Sequence, residues 1–204
     1  PYIHHEWNPV GSYKRTFKVP SDWKNKEVFL HFGAVSSAFY VWINELMAGY
    51  SEDSKMPAEF NITKYLKPGK NTVSVEVYRW SDGSYLEDQD YWRLSGIQRS
   101  VFLHARPKSY INDFFAVGDL ENNYNDGLLK LDVSLKNSPE ESQDLFVNAS
   151  LYDGSEKIYT ESKNLSLNGT CNISFSRNFP AVKKWSAEKP DLYSLVITLK
   201  DNNG

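Results

Sequence analysis

A single cysteine, Cys171, in 204 residues rules out an intrachain disulfide and a thiolate metal cluster. Cys171 lies in Thr170-Cys171-Asn172-Ile173 and reads as a strand residue, with no paired base to make it a nucleophile. No apolar run approaches the roughly 18 residues of a membrane span, and no signal peptide opens the chain. There is no glycine-rich phosphate loop. Lys and Arg total 23 against 26 Asp and Glu, a net charge of −3, so no large basic face is available and nucleic acid and membrane surface are poor partners. Sustained helical periodicity is also missing. The one helical hint is Asn61-Ile62-Thr63-Lys64-Tyr65-Leu66, where Asn61 can cap a single turn that Pro68-Gly69 ends.

Aromatic residues, by contrast, make up 15% of the chain, with 13 Tyr, 11 Phe and 6 Trp. Such residues suit pleated surfaces. Short alternating runs follow one another: Ser12–Val19 with Tyr13, Phe17 and Val19 on one face, Glu27–Phe32, Ser37–Asn44, a turn at Asn44-Glu45 into Met47–Tyr50, Asn71–Tyr78 with three Val on one face, and Ser100–Ala105. These period-2 signals are those of a sandwich or barrel.

Pro107 within Ala105-Arg106-Pro107-Lys108-Ser109 breaks the series, so domains over 1–106 and 107–204 are expected. The second half predicts strands at Ile111–Val117, Leu128–Leu135, Leu145–Leu151, Lys157–Glu161, Asn172–Phe175 and Leu192–Leu199. Turn chemistry separates them at Asn125-Asp126-Gly127, Asp153-Gly154 and Asn168-Gly169. Six strands without a helix read as an immunoglobulin-like sandwich. Asp201-Asn202-Asn203-Gly204 is a hairpin turn signal with no strand after it, so the intact protein is expected to continue. Pro1 is not an initiator Met, which points to processing or truncation at the other end.

The segment Arg79–Arg93 holds four acids (Asp82, Glu87, Asp88, Asp90), two arginines and four rings (Trp80, Tyr85, Tyr91, Trp92). It is a long loop between strands, a length that is functional or disordered, and its rings argue for packing. The set suits a carbohydrate: ring faces for the C–H face of a sugar, carboxylates for its hydroxyls, and a carboxylate for a hard cation. The competing account is structural, with Arg79 and Arg93 neutralising the acids and the tryptophans anchoring the core. A retaining glycosidase needs two carboxyls about 5–5.5 Å apart on facing elements, and no second acidic strand end supplies the partner. His4-His5-Glu6 lacks further ligands for a metal site and reads as a polar terminus. His31 and His104 fall within strand patterns. Asn-x-Ser/Thr at Asn61, Asn148, Asn164, Asn168 and Asn172 matters only in a secreted eukaryotic protein.

Three segments carry a resemblance: Asn8-Pro9-Val10-Gly11-Ser12-Tyr13, Gly33-Ala34-Val35-Ser36-Ser37-Ala38-Phe39, and Gly49-Tyr50-Ser51-Glu52-Asp53-Ser54-Lys55-Met56-Pro57-Ala58-Glu59-Phe60. They resemble the sugar-binding domain of glycoside hydrolase family 2. Arg79–Ile97, ending in Tyr91-Trp92-Arg93-Leu94-Ser95-Gly96-Ile97, is similar to the large bacterial β-galactosidases of that family, and Trp185–Tyr193 resembles the late part of its first immunoglobulin-like domain. The resemblance implies an all-β chain: a galactose-binding-domain-like jelly-roll sandwich that lacks its opening strands, then an immunoglobulin-like sandwich. A (β/α)₈ barrel elsewhere would carry both catalytic glutamates, so no catalytic residue is expected in this chain.

The resemblance assigns Asp90 contact with galactose hydroxyls and with a Na⁺ that barrel residues complete. It allows Mg²⁺ in the parent enzyme, not held here. We expect Glu87 and Asp88 to position the loop, Trp92 to anchor it by burial, and Arg93 to anchor it by pairing to a carboxylate. The implied function is that of a non-catalytic part of a retaining β-galactosidase. Implied partners are its β-galactoside substrate, its own barrel and further copies of itself. The implied setting is a soluble bacterial protein, cytoplasmic or periplasmic. A stand-alone carbohydrate-binding module and a purely structural pair of sandwiches are the alternatives.

Overall fold

A computed structural model describes residues 3–4, 6–87, 90, 92–137 and 142–201. The chain divides into two compact units, Pro1–Pro107 and Lys108–Gly204. All strand pairings among the described residues are antiparallel, and the chain is all-β as expected.

In the first unit, β1 (Val10–Lys18), β7 (Lys70–Tyr78), β4 (Ala38–Ile43) and β5 (Leu46–Glu52) form one sheet in that order. β6 (Ala58–Asn61), β2 (Glu27–Phe32) and β9 (Val101–Arg106) form a second, and β3 (Val35–Ser36) pairs with β8 (Gly96–Ile97). Alternation decides which face is buried. Phe39, Val41 and Ile43 of β4 and Val75 and Val77 of β7 meet Val28, Leu30 and Phe32 of β2 in one core, so the two larger sheets pack as a sandwich. Residues between them in sequence, Tyr40, Trp42, Glu76 and Tyr78, therefore stand on the outer face.

Local chemistry fixes the connections. Asn44 (φ 50°) and Glu45 (φ 72°) close the β4–β5 hairpin with both central residues at positive φ, the twist-matched two-residue turn. The Asn44 amide donates to the Tyr65 carbonyl (2.9 Å) and to Asn71 Oδ1 (2.7 Å), and its oxygen accepts the Thr72 N–H (3.0 Å). Asn71 is fully buried and satisfied by Lys67 and Gly69 as well. The helical hint resolves to a 3-10 turn at Thr63–Tyr65, with Asn61 Oδ1 accepting the Thr63 N–H (3.1 Å). At Gly49 of β5 a Cβ would lie 2.4 Å from the Phe60 ring of β6, so the sheets close tightly along that side.

Along the other side β1 and β9 bracket an open apolar groove of about 800 Å³, lined by Phe17, Leu30, Phe32, Val75 and Leu103 among others. Tyr13, expected to share a buried face with Phe17 and Val19, is exposed, whereas those two pack against the core. β1 is an outermost strand, and nothing described covers that end of it.

In the second unit, β10 (Ser109–Glu121), β11 (Asp126–Asn137) and β14 (Thr170–Phe179) form one sheet. β13 (Glu156–Leu167), β12 (Gln143–Asp153) and β15 (Tyr193–Asp201) form the other. Leu131, Val133, Leu135 and Phe175 meet Leu145, Val147, Ala149 and Leu167 between them, an immunoglobulin-like sandwich. Cys171 sits in β14 and packs against this core. Gly154 (φ 58°) and Gly169 (φ 75°) make their turns where expected. The first turn of this unit is displaced. It runs through Asn122–Asn125, with Asn122, Asn123 and Tyr124 at positive φ, while Asp126 and Gly127 open β11. Gly127 serves close packing instead, since a Cβ there would lie 2.8 Å from Val182. The end signal at Asn202–Gly204 lies outside the described residues.

Candidate functional site

The acidic loop leaves β7 and returns through β8, and its two ends are pinned to the sandwich. At the start, Asn8 grips Trp80 from both sides: its Nδ2 donates to the Trp80 carbonyl (2.9 Å) and its Oδ1 accepts the Trp80 N–H (3.0 Å). The Arg79 N–H donates to the Pro9 carbonyl (3.0 Å). The Arg79 guanidinium lies over the Trp80 ring, 5.0 Å from its centroid. Next comes one helical turn, α1 (Gly83–Leu86). Ser84, buried at its start, accepts the Ser81 N–H (3.0 Å).

Glu87 then ties the loop to the β5–β6 connection, its Oε1 accepting the Ser54 N–H (2.9 Å). Arg93 closes the return by donating from Nη2 to the Glu87 main-chain carbonyl (2.7 Å). Gln98, bonded to Lys55, donates to the Leu94 carbonyl, and its N–H donates to the Ala34 carbonyl (3.0 Å). A polar cavity beneath the loop, between Ser36, Ser54, Ser84, Glu87 and Arg93, has about 20 Å³. That is room for about one water, so it is part of the loop's foundation and no sugar site.

Between these clamps Asp90 is exposed. Asp88, the other expected support, lies outside the described residues, as does His5 of the terminal His-His-Glu run. Trp92 is a correction. It is 86% exposed and cannot anchor the loop by burial. The Leu94 N–H bonds back to the Trp92 carbonyl (2.9 Å), a tight reversal on the far side of Asp90. The buried indole nitrogen belongs to Trp80, which takes the anchoring place. Tyr85, Leu86 and Leu94 of the same loop are exposed as well. Among the described residues no group of three or more His, Cys, Asp or Glu could hold a metal ion.

Two clusters went unread in the sequence. On the outer face of β6-β2-β9, Glu59 Oε1 lies 3.0 Å from both His31 Nδ1 and His104 Nε2, and its Oε2 lies 3.0 Å from Arg106 Nη2. Burial alone would raise this carboxyl. The hydrogen bonds from His31 and His104 and the charge of Arg106 outweigh it and hold Glu59 below the usual carboxylate range. The second cluster gathers Tyr40, Tyr50 and Tyr78 on the outer face of β7-β4-β5.

Comparison with known proteins agrees with this architecture. Residues 2–107 match the family described as "Glycosyl hydrolases family 2, sugar binding domain", and residues 109–204 match "Glycosyl hydrolases family 2". The chain is 47% identical over 208 residues to a β-galactosidase of Priestia megaterium, covering 100% of this chain and 20% of that protein. It is 41% identical over 204 residues to a β-galactosidase of Halalkalibacterium halodurans, again covering 100% of this chain and 20% of the relative. The chain thus spans about a fifth of the length of these relatives. A β-glucuronidase structure from Bacteroides uniformis superposes with a TM-score of 0.83 at 24% identity, over 97% of this chain and 25% of that one. This likeness concerns the fold alone. No helix among the described residues is long and apolar enough to cross a membrane. Two sandwiches in this order, each matched end to end, show that the chain belongs to glycosyl hydrolase family 2, as its sugar-binding domain followed by its immunoglobulin-like domain.

Proposed function

We propose that the chain is a non-catalytic part of a retaining β-galactosidase that hydrolyses terminal β-D-galactosides. Its acidic loop presents Asp90 to an active site whose catalytic carboxyls lie in a barrel outside residues 1–204. The observation that carries this reading is the exposed Asp90 on a loop clamped on both sides, by Asn8 at Trp80 and by Arg93 at Glu87. Similarity to β-galactosidases along the whole chain points to the same substrate class.

In this reading Asp90 accepts hydrogen bonds from galactose hydroxyls and supplies one oxygen ligand to a Na⁺. It acts as neither acid, base nor nucleophile. The Na⁺ neutralises charge beside the sugar when bound. The exposed apolar rim of Tyr85, Leu86, Trp92 and Leu94 suits docking on the barrel, and further copies of the enzyme complete a homo-oligomer. The test is Asp90→Asn in the full-length enzyme. Turnover should fall sharply with little change in thermal midpoint, because Asp90 is exposed and makes no hydrogen bond or ion pair among the described residues. Near-normal turnover would sink the assignment.

A further inference from the structure

The small polar cavity beneath the acidic loop gathers buried groups whose bonding capacity is unmet. Among the described residues four buried side-chain atoms have no hydrogen-bond partner: Glu27 Oε2, Ser36 Oγ, Trp80 Nε1 and Ser81 Oγ. Two of them, on Ser36 and Trp80, belong to residues that line this one cavity of about 20 Å³. A buried donor or acceptor left without a partner costs more than one made hydrogen bond gains. The neighbouring serine is satisfied, since Ser37 Oγ donates to the Tyr78 carbonyl (3.3 Å). Ser36 stands on β3 opposite Gly96 of β8, which has no side chain to offer it.

Size and polarity together select an occupant. One water needs roughly 10–15 Å³ and two to four polar partners, so a cavity of about 20 Å³ takes one and has no room for a second. The partners are present. Trp80 Nε1 can only donate, and the Ser36 hydroxyl can donate or accept. Ser84 lines the cavity as well. Its Oγ accepts the Ser81 N–H (3.0 Å) and keeps its own proton to give. Arg79 and Arg93 in the lining, with the indole donor, oppose a metal cation, and Glu87 in the same lining opposes an anion. A neutral molecule that both donates and accepts fits this mixture.

We propose that this cavity is the binding site of one resident water molecule, which accepts from Trp80 Nε1 and Ser84 Oγ and donates to Ser36 Oγ. The water joins β3 to the entry of the loop at Trp80 and to the start of α1 at Ser84. It braces the loop from beneath, where Asn8 holds only the main chain of Trp80. Ser36 acts on the loop through this molecule alone. The site does not depend on the role proposed for Asp90.

The experiment is a set of crystal structures of the full-length enzyme, unsubstituted and with Ser36→Val or Ser36→Ala, at a resolution that shows ordered water. The unsubstituted enzyme should show one density peak within about 2.7–3.2 Å of both Trp80 Nε1 and Ser36 Oγ. Ser36→Val fills the cavity with methyl groups. It should remove the peak and raise the B-factors of residues 79–93 relative to the sandwich core. Ser36→Ala leaves the room and should keep the peak, bonded to Trp80 Nε1 and Ser84 Oγ, which preserves the test if the valine variant does not fold. The proposal is overturned if the unsubstituted enzyme has no peak there, or if anomalous scattering or oxygen ligands at about 2.3–2.6 Å mark the peak as an ion. It is overturned equally if Ser36→Val leaves the peak or the order of the loop unchanged, or if Ser36→Ala abolishes the peak.

Discussion

Glu59 shows how one side chain organises a sheet face. It sits on β6 and joins His31 of β2 with His104 and Arg106 of β9. Phe102 stacks on His31 (4.5 Å) and Phe29 on His104 (5.3 Å), so the charged groups lie on a ladder of rings. Folding lowers the Glu59 pKa from an ordinary value of 4.5. A carboxyl depressed by folding adds stability above its unfolded pKa, and that stability is lost as pH falls through the lower folded value. Glu59→Gln should therefore be less stable than the parent near neutral pH, and the gap should narrow as pH falls below about 4.5. Thermal midpoints of both proteins across that window check the sign, and a gap that stays constant would contradict it. None of this was legible in the sequence, because the partners stand 28, 45 and 47 residues from Glu59 and only strand pairing unites them. In the acidic loop the sequence showed the cluster and its chemistry but not which ring was inside. Trp80 and Trp92 are equivalent by composition, and the Asn8 clamp at Trp80 decides between them. Trp92→Ala in the isolated chain should change stability by no more than about 0.5 kcal/mol, whereas Trp80→Ala should cost several times that. Denaturant midpoints of the two variants measure the difference.

At the scale of elements, period-2 alternation located each long strand, since one residue in two had to face a core. The two-residue elements β3 and β8 and the four-residue β6 were missed, because runs that short contain no readable period. Turn chemistry misled at Asn125-Asp126-Gly127. The three residues before it accept positive φ without glycine, and Gly127 is needed where β11 passes Val182. Gly49 teaches the same lesson on β5. It has no unusual φ, and its role is to let β5 approach Phe60, which itself packs edge-on against Phe32 and Phe39. Gly49→Ala must push an aromatic ring that is already held on two sides. It should destabilise the first unit by about 1–3 kcal/mol, read from a denaturant titration.

At the scale of the whole molecule, two sandwiches carry their own cores, and in the first the outer edges of β1 and β9 lack a strand partner among the described residues, beside the apolar groove. Strand edges that lack a partner on one side, beside an apolar groove, recruit further strands. The isolated chain should therefore self-associate, with a mass by light scattering that rises with concentration. A clean monomer at high concentration would contradict this. The same unit carries the acidic loop on which the proposed function rests. It offers a loop braced at Trp80 and at Glu87, with Asp90 exposed on it. The most direct test is a crystal structure of the full-length enzyme with a bound galactoside, read for one distance. The account predicts an Asp90 carboxylate oxygen within about 2.5–3.2 Å of a galactose hydroxyl. A galactoside seated at the catalytic centre with Asp90 beyond hydrogen-bond reach would contradict it.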